Sequence, residues 1–166
     1  MPMARSAVLV CRSTADMLNS TLGLAVMLAC GLLVGWRWHA SGGEAPLAVG
    51  LLLLLRLALL WLGIYLGLLA KNPEAVAAVQ ILVRPLAFLS NAFVATATMP
   101  GWLGVIAEWN PLSATVSATR ELFGNPGWGG DSWFAQHAPL MAVVWPLLLL
   151  VVFLPLSVRR YQRLSR

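Results

Sequence analysis

The sequence predicts an all-α integral membrane protein with four transmembrane helices, an N-terminal amphipathic cytoplasmic helix and an outer re-entrant helical segment. Hydrophobic residues make up 60% of the chain and charged residues only 10%, whereas a soluble domain carries about 25% charged residues. Several apolar runs approach the roughly 20 residues that a helical span needs. These runs use most of the 166 residues, so we expect a single transmembrane domain.

The first element is a predicted amphipathic helix over residues 1–16, which would lie along the cytoplasmic membrane surface. Arg12 and Asp16 are four residues apart, so they share one helix face and can form an ion pair. The apolar run of residues 7–11 is too short for the core of a secretory signal peptide. Nothing in this segment predicts proteolytic processing.

The predicted spans follow in order and cover residues 17–38, 47–70, 75–99 and 139–158. The first span contains Gly31 and Gly35, and the second contains Gly63 and Gly67. Glycines four residues apart on a membrane helix let another helix backbone approach closely. We therefore interpret both pairs as helix-packing sites.

The distribution of basic residues predicts that both termini are cytoplasmic, in a multi-pass protein of the cell membrane. With four spans, the basic residues of the cytoplasmic segments would be Arg5, Arg12, Lys71, Arg159, Arg160, Arg163 and Arg166. The outer segments would hold only Arg37 and Arg120. Cytoplasmic loops are enriched in Lys and Arg. This orientation accounts for the net charge of +5 without nucleic-acid binding, which we do not expect.

The segment of residues 100–133 is too polar to face lipid and too apolar for an ordinary loop, so we predict that it dips into the outer membrane face and returns. Asn110 and Pro111 would separate two short helices. One hypothesis assigns Glu108, Asn110 and Arg120 to an outer gate. The alternative is that these polar groups satisfy one another and the free backbone groups at helix ends.

Two arginines lie inside predicted spans. Arg56 and Arg84 are each nine residues into a span, or about 14 Å deep at 1.5 Å per residue. A charge at that depth costs about 2.5 to 3.5 kcal/mol on insertion scales and normally marks a pathway or a pair. Three interpretations stay open: an anion-attracting cavity, pairing with another helix or subunit, and tolerated substitutions.

Several short sequence blocks occur in an order that resembles a known family. They are residues 2–10 (PMARSAVLV), 69–75 (LAKNPEA), 88–94 (FLSNAFV), 98–103 (TMPGWL), 108–111 (EWNP) and 118–120 (ATR). Together they resemble ABC export permeases of the daunorubicin-resistance type, which are type-2 ABC exporter membrane subunits. Cys11 and Ala95 depart from the pattern, since Gly and Pro are expected there.

The resemblance implies a subunit that pairs with itself or a sister permease, and with an ABC ATPase subunit, to export hydrophobic drugs, antibiotics or lipids. It further implies six membrane helices, so the chain would correspond to the C-terminal two-thirds of a permease without its first two helices. We expect Arg12, Asp16, Lys71 and Glu74 to contact the ATPase. The alternative for the N-terminal helix is simple contact with lipid headgroups.

No chemistry of its own is predicted for the chain. It has no GxxxxGK[ST] phosphate-binding loop, so ATP and Mg²⁺ would be bound by the partner ATPase. We predict no catalytic, cofactor or metal site, and thus a transporter subunit rather than an enzyme. The competing hypothesis is a non-transporting membrane protein that acts as an assembly or regulatory partner of a permease.

Overall fold

A computed structural model describes residues 3–36, 43–70, 72–94, 98–125 and 133–164, and within these ranges the fold is all-helical with no strand. The helices, in chain order, are α1 (Met3–Leu33), α2 (Glu44–Leu69), α3 (Pro73–Phe88), α4 (Gly101–Glu108), α5 (Pro111–Leu122), α6 (Trp133–Gln136) and α7 (Ala138–Leu164). The tightest packing joins α2, α5 and α7.

Helix α1 joins the predicted surface helix and the first predicted span in one element. No glycine or proline interrupts residues 3–22, and the helix continues past Asp16 without a break. Its 31 residues would extend about 46 Å at 1.5 Å per residue, whereas the hydrocarbon core of a bilayer is about 30 Å thick. One end of α1 therefore has the length to project beyond the membrane.

A glycine in a left-handed conformation ends α1. Gly35 has a φ of +97°, and its N–H donates to the Leu32 carbonyl at 3.1 Å while the Trp36 N–H donates to the Gly31 carbonyl at 3.0 Å. This hydrogen-bond pattern is a Schellman motif, which favours glycine because a Cβ is strained there. Gly35 thus terminates the helix, a role that differs from the predicted helix packing.

Helices α2 and α7 run parallel in the core. The Ser157 hydroxyl donates to the Trp61 carbonyl and Nε of Arg160 donates to the Leu68 carbonyl, both at 3.3 Å. Residue numbers rise in the same direction along both helices, so Leu69 and Leu164 lie toward the same end of the bundle. Both helices are long and apolar enough to cross a membrane.

The N-terminal part of α1 lies toward that same end. Ten residues separate α1 from α2, and Nε of Arg56 donates to the Ser20 hydroxyl at 3.0 Å. Ser20 and Arg56 are about equally far from the connection between the helices, so α1 and α2 run antiparallel. Arg12 of α1 and Arg159 of α7 therefore share one end of the bundle.

Helix α5 belongs to the core. Ala118 is fully buried in a cluster with Ala138 and Ala142 of α7, against Leu51 of α2. Small residues allow helix backbones to approach closely in a membrane protein. The buried residues of α5 are alanines, serines and threonines. The helix is therefore buried because these side chains are small, although few of them are strongly hydrophobic.

The threonine hydroxyls of α5 are hydrogen-bonded within the helix itself. The Thr115 hydroxyl donates to the Pro111 carbonyl at 3.0 Å, and that of Thr119 donates to the Thr115 carbonyl at 2.6 Å. Both threonines are buried. A buried polar group costs little when it is hydrogen-bonded, so the polar pattern of this segment is compatible with the protein interior.

Three helices in the described part of the chain are long and apolar enough to span a membrane: Val10–Leu33, Glu44–Leu69 and Ala138–Gln162. The third predicted span, residues 75–99, coincides only in part with α3, which has 16 residues and would measure about 24 Å. A four-span count therefore stays a prediction. Two short helices do meet at Asn110 and Pro111, where the sequence predicts a break.

Candidate functional site

An apolar chamber of about 530 Å³ lies among helices α2, α3, α4, α5 and α7. Its walls are Leu55, Leu59, Leu62, Val83, Ala87, Leu89, Val105, Ile106, Trp109, Asn110, Pro111, Leu112 and Leu149. Nearly all of these side chains are hydrophobic. Cavities of about 300 to 1,000 Å³ with apolar walls and a few polar groups are typical of sites for small organic molecules. The chamber is therefore suited to a hydrophobic ligand.

A second cavity, of about 450 Å³, adjoins the chamber and contains two charges. We call it the arginine cavity; it is lined by Arg56, Leu59, Leu62, Gly63, Leu66, Gly67, Val76, Val83 and Arg84. Leu59, Leu62 and Val83 also line the chamber, so the two spaces share a wall. The structure thus brings together the two arginines that the sequence places in separate spans.

Glycines give the arginine cavity part of its width. A Cβ on Gly63 or Gly67 would meet no atom within 4 Å, and both residues line the cavity. In the described residues they therefore border open space and are not covered by a helix of the same chain. The prediction that they pack against another helix therefore applies to a helix of a second subunit, and it stays a prediction.

Hydrogen bonds join the turn after α3 to helix α5, close in sequence to the chamber residues Leu89 and Leu112. The Asn91 N–H donates to the Ser113 hydroxyl, and its side-chain amide donates to the Ser117 hydroxyl, both at 3.0 Å. Asn91 and Ser113 are buried. Ser113 and Ser117 lie four residues apart on one face of α5. This spacing indicates a polar contact on that face, but it does not identify Asn91 as the residue that makes it.

The residues predicted to form an outer gate do not form one group. Asn110 caps α5, because its Oδ1 accepts the Leu112 N–H at 3.0 Å, and it borders the chamber. Glu108 is half-buried at the end of α4. Arg120 lies ten residues beyond Asn110, about 15 Å along α5, in a separate cavity of about 280 Å³.

Aromatic packing surrounds the position of Arg120. The ring of Trp36, just beyond α1, meets the Phe123 ring edge-to-face with centroids 5.0 Å apart. Both rings line the same cavity as Arg120. The structure therefore places Arg120 where the ends of α1 and α5 meet, away from Glu108 and Asn110.

The residues predicted to contact an ATPase lie at two places. Arg12 Nε is 3.7 Å from Asp16 Oδ2 on α1, and the side chains are 79% and 43% exposed. An exposed pair of this kind contributes about 0 to 1 kcal/mol to stability, which leaves its charges available to a partner. Glu74 is exposed in the first turn of α3, and Lys71 lies outside the described residues.

Comparisons with known proteins agree with the sequence resemblance. The ABC-2 type transporter family model matches residues 1–123. The daunorubicin resistance ABC transporter permease protein DrrB1 of Streptomyces coeruleorubidus is 34% identical over 167 residues, which cover 98% of this chain and 55% of that protein. The chain therefore spans about half the length of this relative.

A shorter similarity links the chain to the putative transport permease ycf38 of Cyanophora paradoxa. The two are 36% identical over 61 residues, which cover 37% of this chain and 21% of that protein. No solved structure matches the chain. The similarity to DrrB1 is thus the broader of these two, and it extends over nearly the whole sequence.

Proposed function

The chain belongs to the ABC-2 type transporter family, and we propose that it forms the membrane-spanning subunit of an exporter of hydrophobic drugs, antibiotics or lipids. The observation that supports this most directly is the apolar chamber of about 530 Å³. Its mostly hydrophobic lining would favour an organic molecule over water or an inorganic ion. DrrB1 is named for resistance to daunorubicin, a function that export would provide.

In this proposal the energy for transport comes from a separate ABC ATPase subunit, to which ATP and Mg²⁺ bind. The chain lacks a GxxxxGK[ST] loop. Helix α1 is longer than a bilayer is thick, and it presents the Arg12–Asp16 pair at the end of the bundle that it shares with Arg159. We place this end in the cytoplasm of a bacterial cell, with both termini inside, because basic residues favour that side.

The opposite end of the bundle is proposed as the exit. Helices α4 and α5 would form the re-entrant segment on the outer side, with α3 and the residues after it as a further span. In this gate hypothesis Arg120 would lie at the outer end, near the end of α1, and Glu108 and Asn110 would lie deeper, where α4 meets α5 beside the chamber. We propose that opening shifts α4 relative to α5, whose Ala118 face is buried against α2 and α7.

The proposed function is tested by reconstituting the chain with a candidate ABC ATPase subunit. We expect the two to copurify, and we expect ATP hydrolysis to rise when a hydrophobic substrate is added. Inverted membrane vesicles should accumulate a fluorescent hydrophobic compound only with ATP. Copurification without ATP-driven uptake of any tested hydrophobic compound would contradict the proposal.

A charge reversal tests the proposed coupling surface. In Asp16→Arg, two positive charges would replace the Arg12–Asp16 pair on one helix face, where like charges repel. We expect about tenfold weaker association with the ATPase, since charged contacts at an interface contribute about 1.5 to 3 kcal/mol. Surface plasmon resonance with the ATPase subunit measures this.

The matched control is Asp16→Asn, which removes the charge without reversing it and should give a smaller loss. Both variants should insert into membranes normally, since the Asp16 side chain is 43% exposed. Unchanged ATPase association in Asp16→Arg would show that this surface only contacts lipid headgroups.

The second candidate function is that of an assembly or regulatory partner of a permease, without transport of its own. The open faces of Gly63 and Gly67 favour it, because they could accept a helix from another subunit. A homodimer or a sister permease would both satisfy this requirement. Export by the complex that persists when the chamber of this chain is blocked would favour this alternative.

A further inference from the structure

We infer that the ligand of this membrane domain is a single-chain amphiphile whose anionic head binds between Arg56 and Arg84 while its apolar part occupies the adjoining chamber. The inference rests on the proposed function in treating this ligand as cargo. It is more specific, since it assigns the chemistry of the ligand and divides the ligand between two cavities. Three properties of the two cavities support it: their charge, their depth and their common wall.

The charge of the arginine cavity is uncompensated in the described structure. Arg56 uses its Nε to donate to the Ser20 hydroxyl, which is a neutral acceptor. Of the described residues that line the cavity, none is acidic. A guanidinium has five N–H donors and remains charged in proteins, so the two arginines bring two positive charges to this space. An anion with two or three oxygens matches these donors.

The depth of the site argues against an ordinary lipid headgroup at the membrane surface. Arg56 lies at the middle of the 26-residue helix α2, about 18 Å from either end. Arg84 lies about 17 Å from the start of α3. Phosphate groups of bilayer lipids lie outside the hydrocarbon core, which is about 30 Å thick. An anion bound at Arg56 would therefore have to leave the headgroup layer and enter the helix bundle.

The wall shared by the two cavities indicates where the apolar part of the ligand binds. Leu59, Leu62 and Val83 line both cavities, so a molecule bound at the arginines has the apolar chamber beside it. The volume of about 530 Å³ suits one drug-sized apolar group. A carboxylate, phosphate or sulfate attached to one alkyl chain or one aromatic ring system has this shape. A diacyl lipid would have to leave one chain outside.

The test measures binding to the full chain in phosphatidylcholine nanodiscs, without any ATPase. The probes are brominated twelve-carbon chains with a phosphate, a hydroxyl or a trimethylammonium head, compared at equal mole fraction in the bilayer. Bromine quenches tryptophan fluorescence on contact, and Trp109 lines the chamber. We expect half-maximal quenching at a concentration about tenfold lower for the phosphate than for the hydroxyl probe, and a smaller signal for every probe in Trp109→Phe.

Variants assign the preference to the two arginines. In the double variant Arg56→Gln, Arg84→Gln, the phosphate probe should lose its advantage, while the hydroxyl probe binds as before. The double variant Arg56→Lys, Arg84→Lys keeps the charges and should retain a preference for phosphate. Arg159→Gln removes an exposed arginine outside both cavities and should change nothing. Unchanged hydroxyl binding shows that the variants are folded.

Three outcomes would overturn the inference. One is equal binding of the phosphate and hydroxyl probes to the wild-type chain, as expected if acidic groups of another subunit pair with the arginines. Another is a phosphate preference that survives both glutamine substitutions. The last is brominated phosphatidylglycerol binding as tightly as the single-chain probe, which would identify a bilayer lipid as the ligand.

The result is independent of the test of transport. Selective binding of the anionic probe with no ATP-driven uptake would support the anion site and contradict the proposed export. Uptake of hydrophobic compounds with no dependence on the head charge would support the proposed export and contradict the anion site. The two hypotheses can therefore fail separately.

Discussion

Ala87→Trp should reduce substrate affinity and ATP-driven transport by about tenfold or more, while the protein remains folded and inserted. Ala87 lines the apolar chamber from α3 and is half-buried. An indole ring at this position would occupy space that we assign to the ligand. Overpacking a filled space costs about 1 to 3 kcal/mol, and 1.4 kcal/mol corresponds to a factor of ten in affinity.

Uptake of a fluorescent hydrophobic drug into inverted vesicles measures this effect, together with substrate-stimulated ATP hydrolysis. The matched control is Ala78→Trp on the same helix, since Ala78 is exposed and lines neither cavity. Basal hydrolysis should be the same in both variants. Normal transport by Ala87→Trp would show that the chamber is not the binding site and would favour the assembly-partner hypothesis.

Ala118→Leu should lower the stability of the helical core by about 1 to 3 kcal/mol. Ala118 is fully buried on α5, in contact with two alanines of α7 that are 0% and 3% exposed. A leucine there adds three carbon atoms where three helices meet, so α5 must move away from α2 and α7. Displacement of α5 would also disturb the hydrogen bonds between Asn91 and its two serines.

Thermal unfolding in detergent, followed by tryptophan fluorescence, measures the change in stability. Ala25→Leu is the control, because Ala25 is exposed on α1 and the same substitution there adds apolar surface toward lipid. We expect its melting temperature to remain within error of the wild type. Equal stability of Ala118→Leu and wild type would mean that α5 does not pack between α2 and α7 in the membrane.

Local features of the chain were predictable because they depend on neighbouring residues. The low charge and long apolar runs indicated a membrane protein, and the structure contains apolar helices of sufficient length. The Arg12–Asp16 spacing predicted a pair that the structure shows at 3.7 Å. Asn110 and Pro111 separate two helices because Pro lacks an N–H and Asn caps the helix that follows. The family resemblance is confirmed by the comparisons.

Other features depend on contacts between segments that are distant in the sequence. Residue spacing assigned Gly35 to a helix face, but the chain turns there in a left-handed conformation. The sequence predicted that residues 100–133 dip into the membrane but did not predict their partners, and the hydroxyls of α5 bond within the helix and with Asn91. The number of membrane spans stays open because α3 is shorter than the predicted span.

The sequence by itself determined the class of the protein, its family and the positions of its charges along the chain. Only the tertiary structure decided which charges meet. Arg56 and Arg84 are 28 residues apart, and they border one cavity because α2 and α3 lie side by side. Arg120 and Glu108 are closer in sequence, but Arg120 lies in the last turn of α5 whereas Glu108 ends α4, before α5 begins. Helix periodicity fixes which residues share a face, whereas the packing of small side chains among α2, α5 and α7 fixes which faces meet.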